Sequence, residues 1–530
     1  MAGGLSRVPE VQAGAPGPAT AAVEDGHHMA RGAAANALVL LASNFRAVFI
    51  FLIARLLGQA ALGRFGLAFA ATELLSKAGM LGFDNSIIPF LAPRVASGDV
   101  DGSRRLFTQV SLVAGVGSLV VAAFAVPLGT RLGVSGGLDA LAHGGSLMLL
   151  ALPGIAVARI ATSTSRSVLA MSNEFYSRGL VETWVTTGVF VVAVALGIRD
   201  EAPALAVVAG TGAAACVARV LASRALTARI PALAQGRTVT LRDDLDPQRF
   251  ATFWGRLRFS LPIAGSSLLT VLVMQADVLL LGTFVNRAPG VTAETFGVFC
   301  VASEIAGGLR KVRQVFDPIF APIVANRAAF TDRESLRVTV SGPGRWVLAV
   351  QLPAVAVIAL AAGPILSIYG PGFSSGALWL ALLAVAHGTN AFAGLVETLL
   401  MIERPSLNLV NASVTVCVQV LTGLWLIPRL GVTGAALAMC IGFASQGGLR
   451  FAEVRHVFGW HWPWRTLVRP LVAGAVGAVP AAGLALVGGA WADVAAALAF
   501  VGAYAGCWLW LGADPEDRAI WRRLTARRAA

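Results

Sequence analysis

Fourteen apolar stretches, each long enough to cross a lipid bilayer as a helix, dominate this sequence of 530 residues. A transmembrane helix needs about 20 consecutive apolar residues. Hydrophobic residues make up 56% of the chain and charged residues 13%, which is about half the charged share of a typical soluble protein. The sequence therefore predicts an all-α polytopic membrane protein with about 14 transmembrane helices, and it excludes a soluble globular domain.

The apolar stretches form two sets of six, followed by a final pair. The first set covers about 33–57, 62–88, 106–129, 146–171, 179–198 and 203–226, the second about 259–285, 295–323, 345–368, 376–402, 406–428 and 431–451, and the pair about 467–489 and 492–512. The predicted organisation is a disordered cytoplasmic tail (1–32), an N-lobe (33–227), a cytoplasmic linker (228–256), a C-lobe (257–455), two further helices (456–512) and a basic cytoplasmic tail (513–530).

The basic residues predict the orientation in the membrane. The formal net charge is +13, and the arginines collect in one set of connections, above all in the segment 228–256 and the C-terminal tail. The opposite connections hold few, mainly Arg131, Arg199, Arg287 and Arg429. Because basic loops stay on the cytoplasmic side, we expect both termini in the cytoplasm. The positive charge then needs no nucleic-acid partner.

The cysteines indicate neither a metal site nor a disulfide framework. All five lie inside apolar stretches, at Cys216, Cys300, Cys417, Cys440 and Cys507. None belongs to a CxxC motif or a Cys/His cluster, which are the patterns that zinc sites require. We therefore expect small packing residues here, and we expect no metal and no cofactor.

The two sets of six resemble each other at an offset of about 231 residues. Phe65-Gly66 recurs as Phe296-Gly297, and Ala71-Thr72-Glu73-Leu74 recurs as Ala302-Ser303-Glu304-Ile305. An even number of spans in each unit makes the repeats parallel, so that an axis along the membrane normal relates them. The pattern predicts two six-helix lobes, an architecture in which transporters bind their substrate between the halves.

Charged residues in the second and eighth spans are the sharpest chemical signal. Glu73, Lys77 and Asp84 lie at i, i+4 and i+11 and so share one helical face. The related positions of the eighth span hold Glu304, Arg310, Lys311, Arg313 and Asp317, and the chain has no lysine besides Lys77 and Lys311. Because each charge at mid-membrane costs about 2.5–3.5 kcal/mol, these side chains must face one another or a hydrated cavity.

Two interpretations of these charges remain open from the sequence. In the first, Glu73–Lys77 and the Glu304–Arg310/Lys311 group are salt bridges that hold helices together. In the second, the second and eighth spans line a central aqueous cavity for an anionic substrate. Arg46 in the first span favours the cavity, because no acidic residue lies within one helical turn of it. Gln275 and Asp277 in the seventh span would flank the same cavity.

Weaker candidates lie in the fourth and tenth spans. Arg159 and Arg166 could face the cavity, although Arg166 could simply mark the cytoplasmic end of its span. His387, Asn390 and Glu397 share one face of the tenth span. A single histidine inside a membrane helix is more often a packing residue than a proton carrier, and both interpretations remain open.

Several loosely spaced motifs resemble the bacterial polysaccharide (O-antigen-type) flippases of the multidrug/oligosaccharidyl-lipid/polysaccharide exporter superfamily. The motifs are Ala54-Arg-Leu-Leu-Gly58 with Leu62-Gly63, Leu257-Arg-Phe-Ser-Leu-Pro262 with Gln275-Ala-Asp277, Gly363-Pro-Ile-Leu366 with Tyr369-Gly-Pro-Gly-Phe373, and Ile427-Pro-Arg-Leu-Gly431. Each motif is unspecific alone, and their order and spacing carry the resemblance over about 33–455. The final pair of spans goes beyond the family's minimal twelve, as in the lipid II flippase branch, whose characteristic sequence is otherwise scarce here.

The resemblance implies two lobes arranged in a V, with a cavity formed by the first, second, seventh and eighth helices. It implies transport of an oligosaccharide linked to a polyprenyl pyrophosphate from the cytoplasmic to the outer leaflet, for surface polysaccharide export. Arg46, Lys77, Arg310 and Lys311 are then the candidates for contacting the pyrophosphate. Expected partners are the lipid-linked oligosaccharide, membrane lipids, and a polysaccharide polymerase with glycosyltransferases.

Two other functions compete with this one. A multidrug or metabolite antiporter of the same superfamily would favour a cavity dominated by acidic and aromatic residues, because its substrates are usually cations. A polytopic glycosyltransferase or ligase would need acidic residues in external loops, where this chain offers only Asp200-Glu201, Glu294 and Asp493. We therefore expect a transporter and no enzyme activity.

Overall fold

The computed structural model describes residues 45–136, 145–234, 252–311, 333–403, 405–459 and 467–511, and helices make up most of these segments. The helices are α1 (Phe45–Met80), α2 (Phe83–Ala96), α3 (Val100–Gly136), α4 (Leu152–Ser167), α5 (Ser172–Ala195), α6 (Ala202–Ala234), α7 (Phe253–Thr283), α8 (Ala293–Gly307), α9 (Arg333–Leu360), α10 (Ala377–Glu403), α11 (Pro405–Leu430), α12 (Val432–Phe458), α13 (Val468–Ala485) and α14 (Ala490–Trp510). Ten helical segments in the described residues are long and apolar enough to cross a membrane. The chain is a multi-pass, all-α membrane protein, and a helix lies in the described part of each of the fourteen predicted stretches.

Helix α1 contains the end of the first predicted span and most of the second. Gly58 interrupts it with a φ of 83°, a conformation that favours glycine. The chain folds back at this point, because the rings of Phe49 and Phe65 lie 5.4 Å apart on the two sides of the turn. In one straight helix, 16 residues would separate these rings by about 24 Å. Gly58 therefore ends the first limb of α1 and begins the second.

The second span bends again where α1 ends and α2 begins. Leu81 and Gly82 both have positive φ values, of 52° and 79°. A side chain at Gly82 would overlap the backbone of α7 near Ser260 and Ala264. This bend therefore brings the start of α2 against the other half of the molecule.

The described helices pack as two lobes. In the N-lobe, α4 lies against α3 and α6, and α2 packs on the same group. Its core includes Met80, Phe83 and Phe90, which are almost completely buried. In the C-lobe, α12 packs against α10 and α11, while α9 packs against α10. The predicted two-lobe, all-α fold is confirmed, whereas the exact domain limits stay predictions.

The final helix pair belongs with the C-lobe. Helices α13 and α14 form a hairpin that packs on α9, with a small core that includes Ala473, Ala496 and Phe500. The Tyr504 hydroxyl donates a hydrogen bond of 3.0 Å to the carbonyl oxygen of Ala349 in α9. This contact satisfies a polar group that would otherwise face apolar surroundings.

Helices α5 and α6 are among those whose limits differ from the predicted spans. Helix α5 begins at Ser172, seven residues before the predicted limit of 179, and its segment Phe175–Glu182 is a π-helix. Polar residues fill this first part of the helix, so hydropathy alone did not indicate it. Helix α6 continues to Ala234 and thereby enters the range predicted as a linker.

Candidate substrate cavity at the lobe seam

The two lobes meet along a seam at which α1 packs on α7 and α8, and α2 packs on α7. At the end of the seam near Gly58, the backbones of the second limb of α1 and of α8 are in close contact. A Cβ atom on Gly63 would lie 2.9 Å from the carbonyl oxygen of Ala293, and one on Gly297 would overlap the backbone of Gln59. The Gln59 amide also donates a hydrogen bond of 2.9 Å to the carbonyl oxygen of Pro371. Glycine is therefore required for this approach.

The lobes also touch at the opposite end of the seam, around Gly82. The hydroxyls of Ser86 in α2 and Ser260 in α7 are hydrogen-bonded at 2.6 Å. The Asn85 amide donates a longer hydrogen bond of 3.4 Å to Ser267. In this conformation the lobes are thus in contact at both ends, as seen among the described residues.

A small cavity of about 40 Å³ lies between the lobes toward the Gly58 end. This volume has room for one or two water molecules. It is lined by Ile50, Leu62, Phe65, Gly66, Val278, Cys300, Ser303 and Glu304. The lining therefore comes from α1, α7 and α8, which carry the first, second, seventh and eighth predicted spans.

Glu73 joins the two lobes through a polar contact within the seam. Its Oε2 accepts a hydrogen bond of 3.2 Å from the Gln275 amide of α7. Its Oε1 lies 3.5 Å from a guanidinium nitrogen of Arg159 in α4. Both Glu73 and Arg159 keep about a quarter of their side-chain surface accessible. The structure thus brings together three sequence candidates, one from each of three helices.

In place of the Glu73–Lys77 salt bridge considered under the first interpretation, the structure pairs Lys77 with Asp84. Lys77 Nζ lies 2.5 Å from Asp84 Oδ2, and the two side chains are only 14% and 6% exposed. The bend at Leu81 and Gly82 explains the change, since it turns Asp84 back toward Lys77 across the break in the helix. On a straight helix, residues seven apart lie about 10 Å from each other along the axis, so helical spacing alone does not predict this pair.

Asp277 occupies the C-lobe side of the seam. It is 6% exposed, and its Oδ2 accepts a hydrogen bond of 3.1 Å from the Ser303 hydroxyl of α8. Ser303 and Glu304 both line the cavity. Asp277 therefore supports the C-lobe wall of the cavity through Ser303.

The other eighth-span candidates lie at or beyond the end of α8. Arg310 donates a hydrogen bond of 3.1 Å to the carbonyl oxygen of Gly307, and Lys311 follows it, half-buried. Arg313 and Asp317 fall outside the described residues. The same holds for the side chain of Arg46, whose backbone lies in the first turn of α1.

The tenth-span candidates lie inside the C-lobe and not at the seam. Arg450 of α12 is 2.9 Å from Glu397 and 3.5 Å from Asn390. His387 is 1% exposed and packs its ring against Phe443 at 5.3 Å. Arg450 was not selected as a site residue from the sequence. Arg450 is a charged residue at the end of a predicted membrane span, and this feature could have identified it as a candidate.

A second group of charged side chains joins the end of α4 to the start of α5, and only one of its members was selected from the sequence. Arg166 and Arg178 both contact Glu174, and Arg178 lies 3.7 Å from Glu182. Only Arg166 was a candidate from the sequence, because α5 was predicted to start after Arg178. Within the described segments, no group of three or more His, Cys, Asp or Glu side chains could hold a metal ion.

No family model matches the sequence, and no curated protein matches it. Solved structures do match. A multidrug resistance MATE family transporter of the MOP superfamily, in an inward-facing conformation, superimposes with a TM-score of 0.64 at 16% identity, covering 80% of this chain and 98% of that chain. The lipid II flippase MurJ, in an inward closed conformation, gives 0.55 at 12% identity, covering 93% and 98%. A mutant of the Vibrio cholerae MATE transporter VcmN gives 0.53 at 13% identity, covering 82% and 100%. This chain has the fold of these MOP-superfamily transporters.

Proposed function

We propose that this protein is an alternating-access transporter that moves a polyprenyl-pyrophosphate-linked oligosaccharide from the cytoplasmic to the outer leaflet of a bacterial cytoplasmic membrane. The observation that carries the proposal is the polar contact within the seam, where Glu73 of one lobe accepts a hydrogen bond from Gln275 of the other. Polar groups at membrane depth usually mark a substrate path. A bond between lobes is broken whenever the lobes separate there, so it suits a site that opens and closes.

Cationic side chains near this contact favour an anionic cargo. Arg159 lies beside Glu73, and Lys77 lies one turn further along the same limb. Guanidinium groups bind pyrophosphate oxygens through charge-assisted hydrogen bonds. The polyprenyl tail needs no pocket of its own, because it can remain in the bilayer while the polar head passes between the lobes. Glycosyltransferases that build the oligosaccharide and a polymerase that extends it would be the partners of this step.

The share of this chain that aligns with the flippase structure supports a lipid-linked cargo. The match to MurJ covers 93% of this chain, whereas the first MATE match covers 80%. The difference is expected if α13 and α14 have counterparts in that flippase structure and none in the MATE transporter.

A multidrug or metabolite antiporter is the second candidate. The higher TM-score, 0.64, belongs to a MATE multidrug transporter. Glu304 in the cavity wall and the buried Asp277 behind it also supply carboxylates that would attract a cation. The two candidates therefore differ in the charge of the cargo, which an experiment can separate.

The test reconstitutes the purified full-length protein into liposomes that carry a fluorescent polyprenyl-pyrophosphate oligosaccharide in both leaflets. Dithionite quenches only the probe in the outer leaflet, so flipping exposes the protected inner pool. We expect loss of protection with the wild-type protein and with Gly212→Ala, a control at a position where an added Cβ meets no atom within 4 Å. We expect Arg159→Gln to slow the process.

The alternative is tested on the same vesicles with a cationic dye and an imposed pH gradient. Dye movement without any flipping of the labelled oligosaccharide would reject the flippase proposal and favour the antiporter. Equal rates for Arg159→Gln and wild type would reject the assignment of Arg159 to the cargo path.

A further inference from the structure

Two exposed arginines converge on one carboxylate where α4 ends and α5 begins. Arg166 donates to Oε2 of Glu174 from Nη2 at 2.5 Å and from Nε at 3.1 Å, and Arg178 donates to Oε1 at 3.3 Å. The arginine side chains are 46% and 44% exposed, whereas Glu174 is 18% exposed. The carboxylate of Glu174 thus occupies the position that a phosphate group prefers, between two guanidinium groups.

The backbone that holds Arg178 departs from the ordinary α-helix. The segment Phe175–Glu182 is a π-helix that begins directly after Glu174 and has Arg178 near its centre. The hydroxyl of Thr183 donates to the carbonyl oxygen of Arg178, five residues earlier, at 3.3 Å. π-Helical turns are rare, and they occur frequently at functional sites. The π-helical conformation is therefore a second, independent indication that Arg178 belongs to a functional site.

The surroundings of this pair are suited to a ligand with an apolar tail. Leu169 and Met171 in the turn between the helices are 59% and 54% exposed, and Tyr176 is 51% exposed. Tyrosine is enriched at the depth of the lipid headgroups, and this end of α4 is the one predicted to face the cytoplasm. Arg229 of α6 adds a third guanidinium, which donates a hydrogen bond of 2.6 Å to the carbonyl oxygen of Leu169.

The geometry points to a binding site for the phosphate group of a membrane lipid, in which the phosphate displaces Glu174 from Arg166 and Arg178. The inference deepens the proposed transport function and rests on it in one respect: the site would be the first station of the cargo headgroup. Arg159 lies seven residues before Arg166, about 10 Å along α4, and contacts Glu73 at the seam. Arg166 and Arg159 therefore place two positive charges along α4, one at the predicted depth of the lipid headgroups and one at the contact between the lobes.

The test measures binding of dioleoyl phosphatidic acid, a lipid with a phosphomonoester head, to the purified full-length protein by native mass spectrometry. We expect Arg166→Gln and Arg178→Gln each to weaken binding by about tenfold, as loss of a charge-assisted hydrogen bond predicts. Glu174→Gln should strengthen binding several-fold, because it removes the carboxylate that contacts both arginines, while Glu182, 3.7 Å from Arg178, is left in place. Arg105→Gln is the matched control, since Arg105 is an exposed arginine at the same predicted membrane face.

Glu174→Gln separates this proposal from a structural role for the cluster. If that variant weakens binding as much as the arginine variants do, Glu174 merely holds the helices and the proposal is overturned. Inorganic pyrophosphate serves as the soluble probe. Tight binding of pyrophosphate that phosphatidic acid does not displace would assign a soluble anion and overturn the lipid site. Lipid binding that follows the expected pattern in a protein that flips no oligosaccharide would reject the proposed function and leave this site standing.

Discussion

Replacing Gly297 by alanine should force the lobes apart at the Gly58 end of the seam. A Cβ atom at this position would lie 2.7 Å from the carbonyl carbon of Gln59 and nearer still to its oxygen. The optimum separation of carbon atoms is about 3.5 Å, so the carbonyl carbon alone requires α1 and α8 to separate by about 0.8 Å, and the closer oxygen requires more. Backbone atoms cannot rotate away as the tip of a side chain can, and the strain therefore falls on the contact between the lobes.

The magnitude follows from the cost of overpacking, which is about 1–3 kcal/mol. Only conformations that are closed at this end bear that cost. Their population should therefore fall relative to open conformations by about 5- to 150-fold. The free energy of unfolding of each separate lobe should change little, because Gly297 packs across the seam and not within one lobe.

Cys300 provides the readout, since its thiol is half-buried, packs beside Gly66 and lines the cavity between the lobes. With the other four cysteines replaced by alanine, the rate of modification by a small, membrane-impermeant methanethiosulfonate reports how often this end opens. We expect the rate to rise with Gly297→Ala and to stay at the parental value with Gly212→Ala. An unchanged rate in a properly inserted Gly297→Ala variant would refute the contact between α1 and α8.

Three further predictions concern buried pairs and the other end of the seam. Lys77→Ala should lower membrane yield because it leaves Asp84, 6% exposed, without its cation; Lys77→Ala with Asp84→Asn should recover the yield, and equal yields of single and double variants would contradict a structural pair. Arg450→Leu should lower the free energy of unfolding by about 1.5–3 kcal/mol, as expected for loss of a hydrogen bond to a charged group that is itself 34% exposed, whereas adding Glu397→Gln should restore part of it in a fluorescence unfolding assay. Gly82→Ala should weaken the contact between the lobes at the Ser260 end. The measurement is the yield of disulfide cross-linking between cysteines placed on the two sides of this contact, which should fall. An unchanged yield would contradict the close approach.

The fold was largely predictable because hydropathy depends on composition over long windows. Fourteen apolar stretches were enough to predict the helices, and their division into two sets predicted the lobes. Where prediction failed, the cause was local. The polar start of α5 lies below any hydropathy threshold, and its π-helix has no simple sequence period.

The site was predictable in its helices but not in its pairings. Glu73, Gln275 and Arg159 were selected separately, and the structure joins them in one contact. Helical spacing allowed a Glu73–Lys77 salt bridge as one of two interpretations, yet the helix bends at Leu81 and Gly82 and Lys77 pairs with Asp84. Spacing rules assume a straight helix, so they fail where a helix breaks. Arg178 and Glu174 escaped notice because they were placed in a connection.

The attachment of α13 and α14 makes the two bodies of the proposed transport cycle unequal. The pair packs on α9 and on the short helix Ala362–Ser367, so it travels with the C-lobe and enlarges that body from six helices to eight. Internal torques on two joined bodies are equal and opposite, and the surrounding lipid resists the larger body more. The N-lobe should therefore swing through the wider angle, while the C-lobe, broadened by the attached hairpin, stays closer to its resting tilt in the bilayer.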